Sequence, residues 1–299
     1  MEVWRKGRAW LFLFVTFFFW GSVYVFSKLI PGVPTGLVGC LRCAIAAVVL
    51  QIVVHTRFRG VKIAREDYKY FVSVGVLGYF ATIFLIQKGI ALAGSSTASL
   101  INSMTPVAVT IFAALILKEK ITPVKILCLV LALAGTYIIT TGATAEGEMM
   151  GALLVVLSVI SWALASVNMR QLTAKYPPIL VTAYGMLISL ALHIPVGAAE
   201  SLRAGGTGLD GRAVLVLLYL GLVGSALPQY TWTASLSMLP ASTCSLFYPL
   251  QPAFSAILGA LLLDETFKPA FFLGMLLISI DVVLSTLETR RLSRLEAGN

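Results

Sequence analysis

The chain has 299 residues, 59% of them hydrophobic and 12% charged, with mean hydropathy +0.93 and formal net charge +9. Soluble domains carry about 25% charged residues, so this composition excludes an ordinary globular protein and points to the lipid bilayer. The cations lie between apolar runs rather than in one patch, which argues against nucleic acid as a partner and makes them topology signals.

Ten apolar runs are long enough to cross a bilayer core: 9–29, 36–54, 70–92, 96–117, 122–142, 150–170, 178–198, 212–235, 241–263 and 269–288. Each is predicted to be a helix, because a lone strand leaves its backbone groups unsatisfied in lipid. Short alternating segments, the mark of a barrel, do not occur. The first run follows Arg5, Lys6 and Arg8 like a signal peptide, but it is too long and no small-residue cleavage site follows. It is therefore expected to remain as the first helix. Cys40, Cys43, Cys128 and Cys244 all fall inside apolar runs, against a disulfide framework. Cys40 and Cys43 have redox spacing, yet their apolar setting favours core packing. The fold class is an all-α polytopic membrane protein.

The loops set the orientation. With the N-terminus in the cytoplasm, sixteen of the 22 cationic residues fall on the inner side, in the loops around Arg5–Arg8, Arg57–Lys69, Lys118–Lys125, Arg170–Lys175 and Arg290–Arg294. Three fall outside, Arg203, Arg212 and Lys268, and Lys28, Arg42 and Lys88 lie within runs. This bias places both termini in the cytoplasm.

The chain also repeats itself. Residues 96–119 and 242–265 align without gaps, and ten of their 24 positions are identical, including Ser96/Ser242, Pro106/Pro252 and Glu119/Glu265. Further pairs are Trp20/Trp162, Lys28/Arg170, Gly75/Gly221 and Gly78/Gly224. Five helices is an odd number, so the second half enters the membrane from the opposite side. The expected organisation is two inverted five-helix repeats, 1–145 and 146–299, joined by the acidic loop near Glu146–Gly151. Transporters with such repeats carry their substrate site between the halves.

The residues also carry a family resemblance. Trp20-Gly21 with Lys28, Arg42, Ala91-Leu92, Ser95-Ser96-Thr97-Ala98, Pro106, Glu119 and Gly135 stand in order, echoed by Ser161-Trp162-Ala163, Pro252 and Glu265. In these the chain resembles the drug/metabolite transporter superfamily, in its ten-helix EamA-type branch of bacterial permeases. The resemblance implies a multi-pass protein of the bacterial inner membrane that exports small metabolites, amino acids among them, by alternating access. It also implies a site built from helices 1, 3, 4, 6, 8 and 9. One position departs from the pattern: the counterpart of Gly135 is Asp281.

Several side chains are candidates for substrate binding. A proline within a helix frees the carbonyl four residues earlier, so Pro106 and Pro252 are expected to free those of Asn102 and Tyr248. Gln251 adds polarity beside them; a kink alone is the competing reading, since proline is common in membrane helices. Trp20, Tyr24, Tyr79, Trp162, Tyr230 and Trp232 form an aromatic set, with Trp20 and Trp162 near mid-helix, suited to stacking on a substrate or to core packing. Arg42 lies about six residues into its run, where it either lines an outer vestibule or packs against carbonyls. Lys28 and Lys88, nearer the surface, snorkel or join that vestibule. Asp281, inside the last run, is the candidate for proton or cation coupling, against a protonated acid hydrogen-bonded across helices.

No phosphate-cradling Gly-x-x-x-x-Gly-Lys-Ser/Thr loop occurs, so ATP is not the direct energy source and no cofactor is expected. No hydrolase or metalloprotease motif stands in the chain. The sequence therefore reads as a secondary exporter of a small organic molecule, an amino acid or related compound. A multidrug exporter of hydrophobic cations is the alternative, and an intramembrane enzyme or lipid-binding scaffold is the reading from another class.

Overall fold

The computed structural model describes residues 2–27, 29–102, 104–140 and 149–263, together with 273–274, 276–277, 279–280, 282–284, 287–288 and 291. Among the described residues the architecture is an all-α membrane bundle. Its elements are α1 (Glu2–Ser27), α2 (Thr35–Arg57), α3 (Tyr68–Ser73), α4 (Thr82–Asn102), α5 (Thr105–Leu117), α6 (Pro123–Thr140), α7 (Met149–Leu172), α8 (Pro178–Arg203), α9 (Gly211–Gly221), α10 (Leu227–Leu236), α11 (Ala241–Ser245) and α12 (Leu250–Leu263). A π-helical segment, Val74–Ala81, joins α3 to α4, and a second, Leu222–Ala226, joins α9 to α10. These two joined helices match the third and eighth predicted runs.

Six helical stretches among the described residues are long and apolar enough to cross a membrane: Gly7–Ser27, Thr35–Arg57, Arg65–Gly89, Met149–Leu172, Pro178–Arg203 and Gly211–Leu236. The other four predicted runs correspond to further helical stretches. They are α5, α6, α11 with α12, and the helical positions between 273 and 291.

Two boundaries differ from the sequence expectation. The chain was expected to break between runs three and four near residues 93–95, yet α4 continues to Asn102. Gly94-Ser95-Ser96-Thr97 holds no proline, and the break falls instead just before Pro106, which lacks the N–H a continuing helix needs. The run 241–263 is likewise interrupted at 246–249, ahead of Leu250, at Pro249. Both interruptions are bridged by tight i→i−3 bonds, Met104 N–H to the Ile101 carbonyl and Leu250 N–H to the Phe247 carbonyl, each 3.0 Å.

The packing pairs elements from opposite halves. α2 lies along α8, α4 and α5 lie along α7, and α1 lies along α10 and α12. Close contacts recur in equivalent places. A Cβ on Gly75 would stand 2.6 Å from the Ile188 side chain, and one on Gly221 would stand 2.6 Å from that of Ile45. The same holds for Gly78 against Ala165 and Gly224 against Val23, each at 2.8 Å. The four glycines thus allow close helix contact. Around the bundle, Leu11, Val48, Ile52, Leu115, Leu215 and Leu261 are exposed. Apolar surface of this extent belongs in lipid.

Candidate functional site

At the centre of the bundle, aromatic rings from both halves converge. Phe17 and Trp20 share a face of α1, three residues apart. Gly21 beside them brings α1 onto α12, since a Cβ there would lie 2.8 Å from the Gln251 carbonyl oxygen. Trp162 comes from α7, Trp232 from α10, Tyr79 from the first π segment and Tyr248 from the turn before α12. Ring centroids are 5.6 Å apart for Trp20–Trp162, 5.8 Å for Trp20–Trp232, 6.1 Å for Trp162–Trp232 and 5.6 Å for Trp232–Tyr248. Tyr79 reaches Trp162 at 6.3 Å, and Phe17 reaches Tyr248 at 5.0 Å. Separations of this size are those of favourable aromatic pairs, each worth about 0.5–1.5 kcal/mol beyond area burial.

The cluster is buried, yet its polar atoms are not all satisfied. Trp162, Ser166, Gln229 and Trp232 are 6%, 0%, 8% and 0% exposed. Trp162 Nε1, Ser166 Oγ, Gln229 Oε1 and Trp232 Nε1 have no hydrogen-bond partner among the described residues. Buried polar groups are normally paired, and an unpaired one costs about 1–3 kcal/mol. Four such atoms on two adjacent helices can serve a ligand's polar groups between aromatic faces.

Polar ties close the two ends of the bundle. At one end Glu119 is presented by Lys118, whose left-handed conformation (φ 56°) ends α5. Its carboxylate accepts from the N–H groups of Ala241 (2.8 Å) and Ser242 (3.2 Å) and from the Ser242 hydroxyl, capping α11. Lys125 Nζ donates to the same hydroxyl at 2.7 Å. Nearby, Asp67 accepts from Lys175 at 2.9 Å and from the Tyr176 hydroxyl at 2.8 Å, and the hydrogen bond that Lys175 donates to Asp67 holds its ammonium above its ordinary pKa. A cavity of 750 Å³ opens here, lined by Asp67, Glu119, Arg170 and Lys175 among others. It lies about 12 Å from Trp162 along α7, counted as eight residues of helix rise. At the opposite end Glu200 pairs with Lys88 at 2.9 Å and accepts from the Gly36 N–H at 2.7 Å. Loops expected on the same side of the membrane therefore meet at the same end.

The sequence-derived candidates divide accordingly. Trp20, Tyr79, Trp162 and Tyr248 come together. Tyr230 faces away, its ring 6.2 Å from Phe12 on α1. Arg42 is engaged by the second π segment, its Nε donating to Ser225 Oγ at 3.1 Å and a terminal nitrogen to the Gly224 carbonyl at 3.5 Å. Lys88 is salt-bridged rather than snorkelling alone. Gln251 presents its backbone to Gly21.

The expectation for the prolines is corrected. Pro106 and Pro252 do not kink continuous helices; they stand in the first turns of α5 and α12, where a missing N–H costs little. The carbonyls expected to be free are occupied: that of Asn102 accepts from Thr105 Oγ1 at 2.6 Å, and that of Tyr248 from the Gln251 N–H at 3.0 Å. The Tyr24 side chain, Lys28 and Asp281 lie outside the described residues.

Sequence reasoning missed Phe17, Ser166 and Gln229. Helix phase was the available signal, since Ser166 follows Trp162 by four residues and Gln229 precedes Trp232 by three, which puts each pair on one face. Glu119 was seen only as a repeated residue and part of the family pattern, and Glu200 not at all.

Comparison with known proteins shows the family. The profile of the EamA-like transporter family matches twice, over residues 7–141 and 149–287. An uncharacterized transporter of Archaeoglobus fulgidus is 25% identical over 93% of this chain and 99% of its own length. The threonine/homoserine exporter RhtA of Escherichia coli is 26% identical over 98% of this chain and 97% of its own. A solved crystal structure superposes with a TM-score of 0.82 at 23% identity, over 95% of this chain and 98% of that one, and so shares the fold. Matched by one family profile in each half and by relatives named as transporters along nearly its whole length, this chain belongs to the EamA-like transporter family.

Proposed function

We propose that the protein is a secondary transporter, not an enzyme, that exports a small amino acid or related metabolite across the bacterial inner membrane. Its two halves, 1–145 and 146–299, are inverted repeats that rock about a shared site, with both termini in the cytoplasm. The observation that carries this reading is the contact between Trp20 and Trp162, 5.6 Å apart. These two residues are counterparts in the repeat, and counterparts touch one another only near the axis relating the halves. A substrate held there is exposed to one side or the other as the halves rock.

The ties at the two ends support the same cycle, because Glu119–Ser242 and Lys88–Glu200 each join one half to the other. The substrate class is suggested by the relative named as a threonine/homoserine exporter. A carrier of hydrophobic cations would need a carboxylate at its site. The stretches that build the cluster, 7–27, 74–81, 149–172, 222–236 and 246–263, contain no Asp or Glu.

The test is a survey of metabolites in the medium of overexpressing cells, with Trp162→Ala as the control. Enrichment of L-threonine or a related amino acid that is lost in the variant supports the function. Equal profiles for parent, variant and empty vector refute it.

A further inference from the structure

The two orphaned indoles identify which part of the substrate the site grips. Trp162 Nε1 and Trp232 Nε1 are buried donors without partners among the described residues, on rings 6.1 Å apart. An indole nitrogen donates and cannot accept, so whatever satisfies this pair must present acceptor oxygens. Arg42, the cation expected to attract an anion, is instead engaged with Ser225 and Gly224.

We propose, resting on the amino-acid reading above, that the indole N–H groups of Trp162 and Trp232 are the carboxylate anchor of the substrate site. Each donates to one carboxylate oxygen. The substrate's ammonium meets the acceptor Gln229 Oε1, one turn from Trp232 on the same helix, and the surrounding ring faces, which attract cations. Neutral donors suit a zwitterion. It enters with no net charge, so a buried arginine or aspartate would leave an uncompensated charge whenever the site is empty. The anchor also sets a specificity: an amine lacking the carboxylate leaves two buried donors unpaired, and sites built around such donors reject analogues that cannot satisfy them.

The experiment is equilibrium binding to the purified full-length protein, using L-threonine and L-threoninol, in which a hydroxymethyl group replaces the carboxylate. The parent is expected to prefer L-threonine by roughly tenfold or more, since a hydrogen bond to a charged group is worth about one decade of affinity. Trp162→Phe and Trp232→Phe keep an aromatic ring and remove the donor. Each should weaken L-threonine binding by roughly tenfold and leave L-threoninol within about twofold. Parity between the two probes on the parent overturns the anchor, and needs no variant to fold. Equal weakening of both probes in the Phe variants, or no weakening of either, overturns it as well. If the parent binds neither probe, the amino-acid reading has failed and the anchor falls with it. If the parent binds both alike, the anchor alone has failed.

Discussion

Removing the Glu119 side chain should loosen one end of the bundle by an amount the structure sets. Glu119 bonds two backbone N–H groups and one hydroxyl at the start of α11, and so joins the end of α5 to the other half of the chain. Glu119→Ala strips two backbone N–H groups of their acceptor, while the Ser242 hydroxyl keeps its bond from Lys125 Nζ. A buried unsatisfied donor costs about 1–3 kcal/mol, but the adjoining 750 Å³ cavity admits water to replace the carboxylate. The expected loss is therefore near the low end, about 2 kcal/mol in total. Ser242→Ala removes only the hydroxyl that Glu119 and Lys125 share, and should cost about 1 kcal/mol. In the double variant the losses should fall short of their sum by about 0.5 kcal/mol or more, because both remove the same bond. Denaturant unfolding in detergent can be followed with a thiol-reactive dye. Cys43, Cys128 and Cys244 are buried, and Cys244 lies two residues from Ser242. Strict additivity of the two losses would refute the tie.

The remaining predictions concern symmetry, topology and coupling. Gly75→Ala and Gly221→Ala should each destabilise by about 1–3 kcal/mol, the range for overpacking, because each new Cβ stands 2.6 Å from an isoleucine side chain; a neutral pair in thermal unfolding contradicts the mirrored packing. In a cysteine-free background, Arg59→Cys and Asp210→Cys should label with impermeant maleimide from opposite sides of the membrane, and labelling from one side only would overturn the inverted topology. Asp281→Asn should abolish pH-driven accumulation while substrate exchange persists, and equal pH-driven uptake by variant and parent would remove Asp281 from coupling.

Much of the fold was legible in the sequence because the bilayer leaves few options. A run of about 20 apolar residues must be helical, and the loop cations then order the ends. The repeat added Trp20, Trp162 and the four glycines, since equivalent positions carry equivalent residues. What the sequence hid depends on contacts between elements. The two π segments leave the hydropathy of their runs unchanged, and Lys88 and Glu200, 112 residues apart, meet only once the bundle assembles. Tyr230 shows the limit of composition without phase. It is two residues from Trp232, about 200° around the helix, so only one of the two rings can face the cluster. The prolines were located correctly but given the wrong geometry, because hydropathy runs through a helix interruption without a gap.

The central claim is that this chain moves an amino acid through a site on the axis between its halves. Counterflow of labelled L-threonine into preloaded proteoliposomes, with parent protein and Trp162→Ala measured side by side, tests it most directly. The account predicts saturable counterflow by the parent and none by a variant that still unfolds cooperatively. Parental counterflow by the variant, or none by a folded parent with any small amino acid, would contradict it.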